Sequence, residues 1–232
     1  MDRMTVRIMF EPELAVIGNV PGRYSIEQID GEVGMYSATP DFVRDRGGPI
    51  TNSILDVVAG SGFFDEAARL GLFPNLDVRV QRLYPGDIPA FPGWHADGEY
   101  RATYHAQPDL YRVRRHSHVV CHVSTEEHGV STTEFLAEPF TADIEDPTVH
   151  NRLWGQVHRQ VQASPGLARV CSADGEVTRF GSLTLHRARP AGIRGWRLFL
   201  RASMWHKPPL DDAGGKISKQ EQVYRVDEGS GW

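Results

Sequence analysis

Apolar and polar positions alternate along several stretches of the second half of the chain. Residues 76–83 (Leu-Asp-Val-Arg-Val-Gln-Arg-Leu) carry an apolar side chain at nearly every second position until Tyr84-Pro85-Gly86 breaks the run, the period of a strand with one buried face. Residues 118–123, 130–136, 175–185 and 196–204 read as further strands. A helical spacing holds in three places. Residues 51–58 open with polar capping side chains, residues 63–70 end at Gly71, and residues 147–162 place Val149, Leu153, Trp154 and Val157 on one face before Pro165-Gly166. Gly60-Ser61-Gly62, between the first two helices, lacks the further glycine and the preceding strand of a nucleotide-binding loop, so it reads as a joint. The order predicts a mainly β fold with flanking α, a sandwich or barrel: a helical N-terminal part over 1–74, a β core over 75–206 with one helical insertion, and a polar, mobile tail over 210–232.

Composition narrows the class. A chain of 232 residues with 40% apolar and 24% charged residues suits one soluble globular domain, taken as residues 1–209. A net charge of −5 gives no basic footprint, so nucleic acid is not an expected partner. The first ten residues carry Asp2, Arg3 and Arg7 and so do not read as a signal peptide. No run approaches the roughly 18 apolar residues of a membrane span, so no membrane partner is expected. Cys121 and Cys171 form no closely spaced ligand pair, which fits a cytoplasmic protein with reduced thiols.

Two segments carry candidate chemistry. In Pro92-Gly93-Trp94-His95-Ala96-Asp97-Gly98, an imidazole and a carboxylate lie two residues apart and share a face if the segment is extended. With a third ligand from elsewhere, they would complete a two-histidine, one-carboxylate set with open positions, the arrangement suited to non-haem Fe(II) and O2. Further on, Thr184 and His186 share a face of an alternating segment. In residues 195–203 one face holds Arg197, Phe199, Arg201 and Ser203, and the other Trp196, Leu198 and Leu200. Arginines on a strand buried on one side need water or anions, and a guanidinium is suited to gripping a carboxylate with two hydrogen bonds.

Together, His95-Ala96-Asp97, His186, and Arg197 eleven positions beyond it resemble the Fe(II)/2-oxoglutarate-dependent oxygenase superfamily over residues 76–205. The further Arg201 makes an Arg-X-X-X-Arg spacing similar to the taurine-dioxygenase-like branch, while Arg201-Ala202-Ser203 is similar to the Arg-X-Ser anchor of another, phytanoyl-hydroxylase-like branch. The resemblance implies a double-stranded β-helix (jelly-roll, cupin-like) core and iron held by His95, Asp97 and His186. It implies 2-oxoglutarate at Arg197, with Arg201, Ser203 and Thr133 as further contacts, and leaves open whether Arg197 or Arg201 is the main anchor. The implied activity is hydroxylation of a small-molecule substrate as 2-oxoglutarate and O2 become succinate and CO2. Related halogenases carry a small residue in place of the carboxylate, so Asp97 argues against halogenation.

Other residues compete for attention. His116, His118 and His122 share a strand face, with Glu126 beyond. This is similar to the His-X-His start of a cupin, and it keeps open a metal-binding isomerase or sensor using His116 and His118. Phe91, Trp94, Tyr100 and Tyr104 cluster around the His-X-Asp segment as candidates for the wall of a substrate pocket. A nucleobase or protein side chain as substrate would use the same chemistry.

Overall fold

The computed structural model describes residues 5–97, 116–126, 129–145, 150–209, 214–218 and 223–225. The strands in chain order are β1 (Thr5–Phe10), β2 (Leu14–Asn19), β3 (Met35–Ala38), β4 (Phe73–Leu83), β5 (Ser117–Ser124), β6 (Thr133–Leu136), β7 (Phe140–Glu145), β8 (Arg169–Cys171), β9 (Glu176–Gly181), β10 (His186–Ala188), β11 (Gly195–Trp205) and β12 (Lys216–Ile217). The helices are α1 (Ile26–Asp30), α2 (Pro40–Arg46), α3 (Pro49–Gly60), α4 (Phe63–Arg69) and α5 (His150–Gln162).

Seven strands form the main sheet in the order β12-β3-β4-β11-β5-β9-β2, three form a second sheet, β10-β6-β8, and β1 pairs with β7. The ladders between these strands are antiparallel, so the fold is mainly antiparallel β with flanking helices.

Strand period decides what each face of the main sheet does. On β11, Leu198, Leu200, Ala202 and Met204 point to one side and join Leu76 and Val78 of β4 and Val119, Cys121 and Val123 of β5. The helices cover this side with Ile29, Val43, Ile54, Leu55, Val58 and Phe63, which makes the first core. The helices hold their places through local chemistry as well as burial. Glu32 accepts hydrogen bonds from the backbone N–H groups of Gly48, Ile50 and Thr51 and from the Thr51 hydroxyl, and so caps α3. Gly62 takes a φ of 77° in the joint between α3 and α4.

The other face of the main sheet is polar. Residues directly opposite in an antiparallel pair point to the same side. The register therefore groups Asn75, Asp77, Arg79 and Gln81 of β4 with Ser203, Arg201, Phe199 and Arg197 of β11, and these with His118, Val120, His122 and Ser124 of β5. A second core lies apart from the first. It gathers Ile8 and Phe10 of β1, Ala142 and Ile144 of β7, Leu153, Trp154, Val157 and Val161 of α5, and Trp94 and Leu185. Gln156 and Gln160 of α5 clip the helix to the backbone of Glu145 and Asp143.

Three sequence expectations need correction. The N-terminal part is not purely helical: β1, β2 and β3 are interleaved with its helices. β2 shows no clean alternation because it is an edge strand with no buried residue, paired only with β9. Residues 182–183 turn instead of continuing a strand from β9, and a new short strand starts at His186. The expected mobile tail is partly docked. Lys216 and Ile217 pair with Tyr36 and Met35, Tyr224 exchanges both backbone hydrogen bonds with Ile88, and Arg225 meets Asp87 at 2.8 Å. Backbone pairing needs no apolar pattern, so composition gave no sign of it.

Candidate metal centre

His95 and His186 face each other across an isolated antiparallel bridge. His95 N–H donates to the His186 carbonyl at 3.0 Å, and His186 N–H to the His95 carbonyl at 2.8 Å. The pairing adds the His95 segment beside β10 and brings the two imidazole centroids to 4.5 Å. Asp97, two residues on, completes the group: one ligand atom from each of His95, Asp97 and His186 lies within 4.8 Å of the others. His95 Nε2 is 4.0 Å from Asp97 Oδ1, and His186 Nε2 is 3.7 Å from Asp97 Oδ2. Ligand atoms each about 2.1 Å from one ion would lie roughly 3–4 Å apart, so the spacing suits a shared cation.

The ring nitrogens are sorted for that task. His95 Nδ1 lies 2.9 Å from the Gly93 carbonyl, and His186 Nδ1 lies 3.1 Å from the Thr184 carbonyl. A carbonyl only accepts, so each Nδ1 carries the proton and each Nε2 presents its lone pair toward Asp97. Burial keeps both rings neutral. It pushes His95 down to about 3, helped by the neighbouring His186, and it lowers His186 as well. Burial alone would raise the Asp97 carboxyl, yet Arg201 beside it holds it below the usual carboxylate range. Phe91 packs edge-on to His95 at 5.1 Å, and Phe180 and Phe135 lie 4.8 and 5.9 Å from His186, so aromatic rings flank both imidazoles. Among the described residues this is the one cluster of three or more such side chains able to hold a metal ion.

The two arginines differ sharply. Arg201 Nη1 donates to Asp97 Oδ2 at 3.1 Å and its Nη2 to Asp77 Oδ2 at 2.6 Å. Arg197 is 1% exposed and meets no carboxylate among the described residues; its Nη1 reaches Gln81 Oε1 at 3.5 Å and its Nε has no partner. Burial pulls this guanidinium down to about 9, against Asp174, which raises it, while Arg79 lowers it further. Arginine does not give up its proton in proteins, so the shift describes a buried charge short of counter-charge.

The remaining sequence candidates fall in different places. Ser203 is engaged with His118, whose Nδ1 lies 2.9 Å from the Ser203 hydroxyl, while the ring stacks on Phe180. Thr133 is buried on the same side of β6 as Phe135. Trp94 does not line an open pocket: it is fully buried in the second core, with the Arg187 and Arg169 guanidiniums 4.8 and 5.5 Å from its ring. Tyr100 and Tyr104 lie outside the described residues. His116, His118 and Glu126 are not gathered into a metal-capable group, and His122 instead faces Asp174 at 3.0 Å. Sequence reasoning missed Asp77 and Arg79. Their one signal was the alternation of residues 76–83, which puts both on the polar side.

No protein-family model matches the chain, and no curated protein matches it in sequence. Among solved structures, a crystal structure of EvdMO1 superposes with a TM-score of 0.33 at 12% identity over 58% of this chain, which spans only 27% of that one. A nickel complex of the non-heme monooxygenase ThoJ superposes with a TM-score of 0.41 at 12% identity, covering 94% of this chain and 88% of the other. The chemistry therefore stands on the side chains themselves: a His-His-Asp cluster able to take a metal ion, set against a polar sheet face in a mainly antiparallel β fold.

Proposed function

We propose that the protein is an Fe(II)- and 2-oxoglutarate-dependent oxygenase with a double-stranded β-helix core, hydroxylating a small molecule. The observation that carries this reading is the pairing of a His-His-Asp cluster with Arg197, a buried guanidinium with no carboxylate partner among the described residues, on the sheet face that also bears Arg201. An anion beside Arg197 would relieve a charge imbalance of several kcal/mol (order of magnitude), and a dicarboxylic acid can reach both a metal ion and a distant arginine.

His95, Asp97 and His186 would hold the iron, whose role when bound is to activate O2 as 2-oxoglutarate is oxidatively decarboxylated to succinate and CO2. The chain's own residues do the rest. The Gly93 and Thr184 carbonyls fix the two imidazoles with Nε2 available, and Arg201 restrains the Asp97 carboxylate. Arg197 orients the co-substrate through its distal carboxylate. Phe91, Phe135 and Phe180 keep water from the histidines.

Anaerobic titration with Fe(II) and 2-oxoglutarate tests the reading. The wild-type protein should develop the weak visible charge-transfer band of the chelate, Asp97→Ala should lose it, and Arg197→Ala should need far more 2-oxoglutarate to reach it. A wild-type protein that binds Fe(II) but shows no band, and forms no succinate when O2 is admitted, would sink the proposal.

A further inference from the structure

Phe199 sits amid three cations. Arg197 and Arg201 are its neighbours on the same face of β11, and Arg79 lies directly opposite it across the β4–β11 ladder. The Arg197 guanidinium carbon is 4.8 Å from the Phe199 ring centroid. Arg79 is diagonal to both β11 arginines, a separation of about 7–8 Å between Cα atoms.

The three differ in their counter-charges. Arg201 is held by Asp77 and Asp97. Arg79 and Arg197 have no ion pair with any described carboxylate. Among the described residues Arg79 Nη1 reaches only the Pro89 carbonyl, at 3.4 Å, and its Nε is buried without a partner, with Asp77 and Asp97 acting on it only through space. Pro89 belongs to the segment that leads into His95, and the same carbonyl accepts from Gln81 Nε2 at 2.9 Å. Arg79 therefore lies under the stretch of chain that carries the first histidine of the cluster, and beside the Asp77–Arg201–Asp97 chain that reaches its carboxylate.

In the reading above, on which this inference rests, the co-substrate accounts for one uncompensated cation. Its distal carboxylate meets Arg197, and its other carboxylate belongs to the metal ion. Arg79 is left over, on the metal side of Arg197, half-buried with its Nε shielded from water, and a partly desolvated guanidinium favours an anion. We propose that Arg79 recognises the substrate, and that the substrate is an organic acid whose carboxylate is gripped by this guanidinium beside the His-His-Asp cluster. Arg79 is then the specificity-determining residue, rejecting neutral molecules of the same shape because they leave its charge unmet.

The test uses full-length protein loaded with Co(II) and saturating 2-oxoglutarate, with carbon-13-labelled acetate as probe and acetamide as its neutral match. The paramagnetic ion should speed the relaxation of the acetate methyl carbon saturably and leave acetamide unaffected. Losing a charge-assisted hydrogen bond should weaken acetate at least about tenfold in Arg79→Gln. Arg79→Lys, which keeps the charge, should retain binding, and both variants should bind 2-oxoglutarate as the wild type does. Arg197→Gln should show the converse loss, of 2-oxoglutarate. Acetate binding that survives Arg79→Gln overturns the proposal, as does a wild type that binds 2-oxoglutarate but not acetate. If Arg79→Gln weakens 2-oxoglutarate as much as Arg197→Gln does, Arg79 serves the co-substrate and the proposal falls while the oxygenase reading stands. A wild type whose Co(II) binding is indifferent to Asp97→Ala overturns both.

Discussion

Arg201 ties Asp97 to Asp77: one end of its guanidinium meets Asp97 Oδ2 at 3.1 Å and the other meets Asp77 Oδ2 at 2.6 Å. A carboxylate in the metal cluster is thereby anchored to the middle of the main sheet. The chain continues, since Asp77 Oδ1 accepts from the backbone N–H of Ser37, a non-glycine residue at φ 50°, and the Ser37 hydroxyl accepts from Asn75. Arg201→Met should leave Asp77, 3% exposed at its side chain, and Asp97 without their shared cation. The expected loss of stability is about 3–5 kcal/mol, the range for breaking one side of a buried ion pair. Metal affinity should fall about 10–100-fold as Asp97 loses its orientation. Urea unfolding and Co(II) titration read the two effects separately, and unchanged metal affinity would make Arg201 a purely structural residue.

Gly93 offers a sharper probe of how the backbone aims a ligand. Its φ is 92°, and a Cβ there would meet His158 Nδ1 at 3.2 Å, while Trp94 N–H donates to that same nitrogen at 3.1 Å. The Gly93 carbonyl is also what fixes the tautomer of His95. Gly93→Ala should therefore cost about 1–3 kcal/mol of backbone strain and push His158 away. Metal affinity should drop in the same variant, because the shift moves the carbonyl partner of His95. Calorimetric Co(II) titration beside a thermal melt checks this. A melt lowered with unaltered Co(II) binding would show that His95 holds its aim by other means.

How far the sequence reached depends on whether a feature is local. The two faces of β11 were legible because Arg197, Phe199, Arg201 and Ser203 alternate with Leu198, Leu200 and Ala202. His95 and Asp97 were legible as a pair because they lie two positions apart, with only Ala96 between them. What could not be read was the register between distant strands. Arg201 and Arg197 look alike in sequence, and only the pairing of Arg201 with Asp77, 124 residues away, gives one arginine its acids and leaves the other without. The same holds for Asp174 beneath His122, and for β1, whose partner β7 lies more than a hundred residues downstream. Trp94 next to His95 reads as a pocket wall, but the second core that swallows it is built from α5, β1 and β7.

Four histidines whose protonation is disfavoured by desolvation should make the metal-free protein acid-sensitive. Burial lowers His95 to about 3 and His118 to about 4, and it also lowers His122 and His186. Between the ordinary value of 6.5 and these lower values, the unfolded chain takes up protons that the native state refuses. Stability is thus complete above pH 6.5 and falls as the pH is lowered toward 4, by about 1.4 kcal/mol per pH unit for each histidine that stays neutral. Urea midpoints measured from pH 7.5 to 5 should decline steadily, and His122→Phe, a change away from the metal cluster, should flatten the decline. A midpoint indifferent to pH over this range would mean that the native rings do accept protons.

Arg197 should trade stability for binding. Its guanidinium is 1% exposed, with only a 3.5 Å contact to Gln81 and no carboxylate among the described residues. The protein without co-substrate therefore carries a desolvated charge that no described carboxylate pairs with, Asp174 offsetting it only in part. Replacing such a charge by an apolar side chain of similar length is often stabilising, by about 1–4 kcal/mol for buried ionic groups. Arg197→Met should therefore melt at a higher temperature than the wild type in the absence of ligands. Adding Co(II) and 2-oxoglutarate should raise the wild-type melting temperature, and the variant should respond to Co(II) as fully but to 2-oxoglutarate much less, because the distal carboxylate has lost its partner. Differential scanning calorimetry with and without 2-oxoglutarate checks both halves. A variant that melts lower than the wild type would mean that Arg197 is held by its surroundings as a structural residue, and a variant stabilised by 2-oxoglutarate as much as the wild type would move the anchor elsewhere on the sheet face.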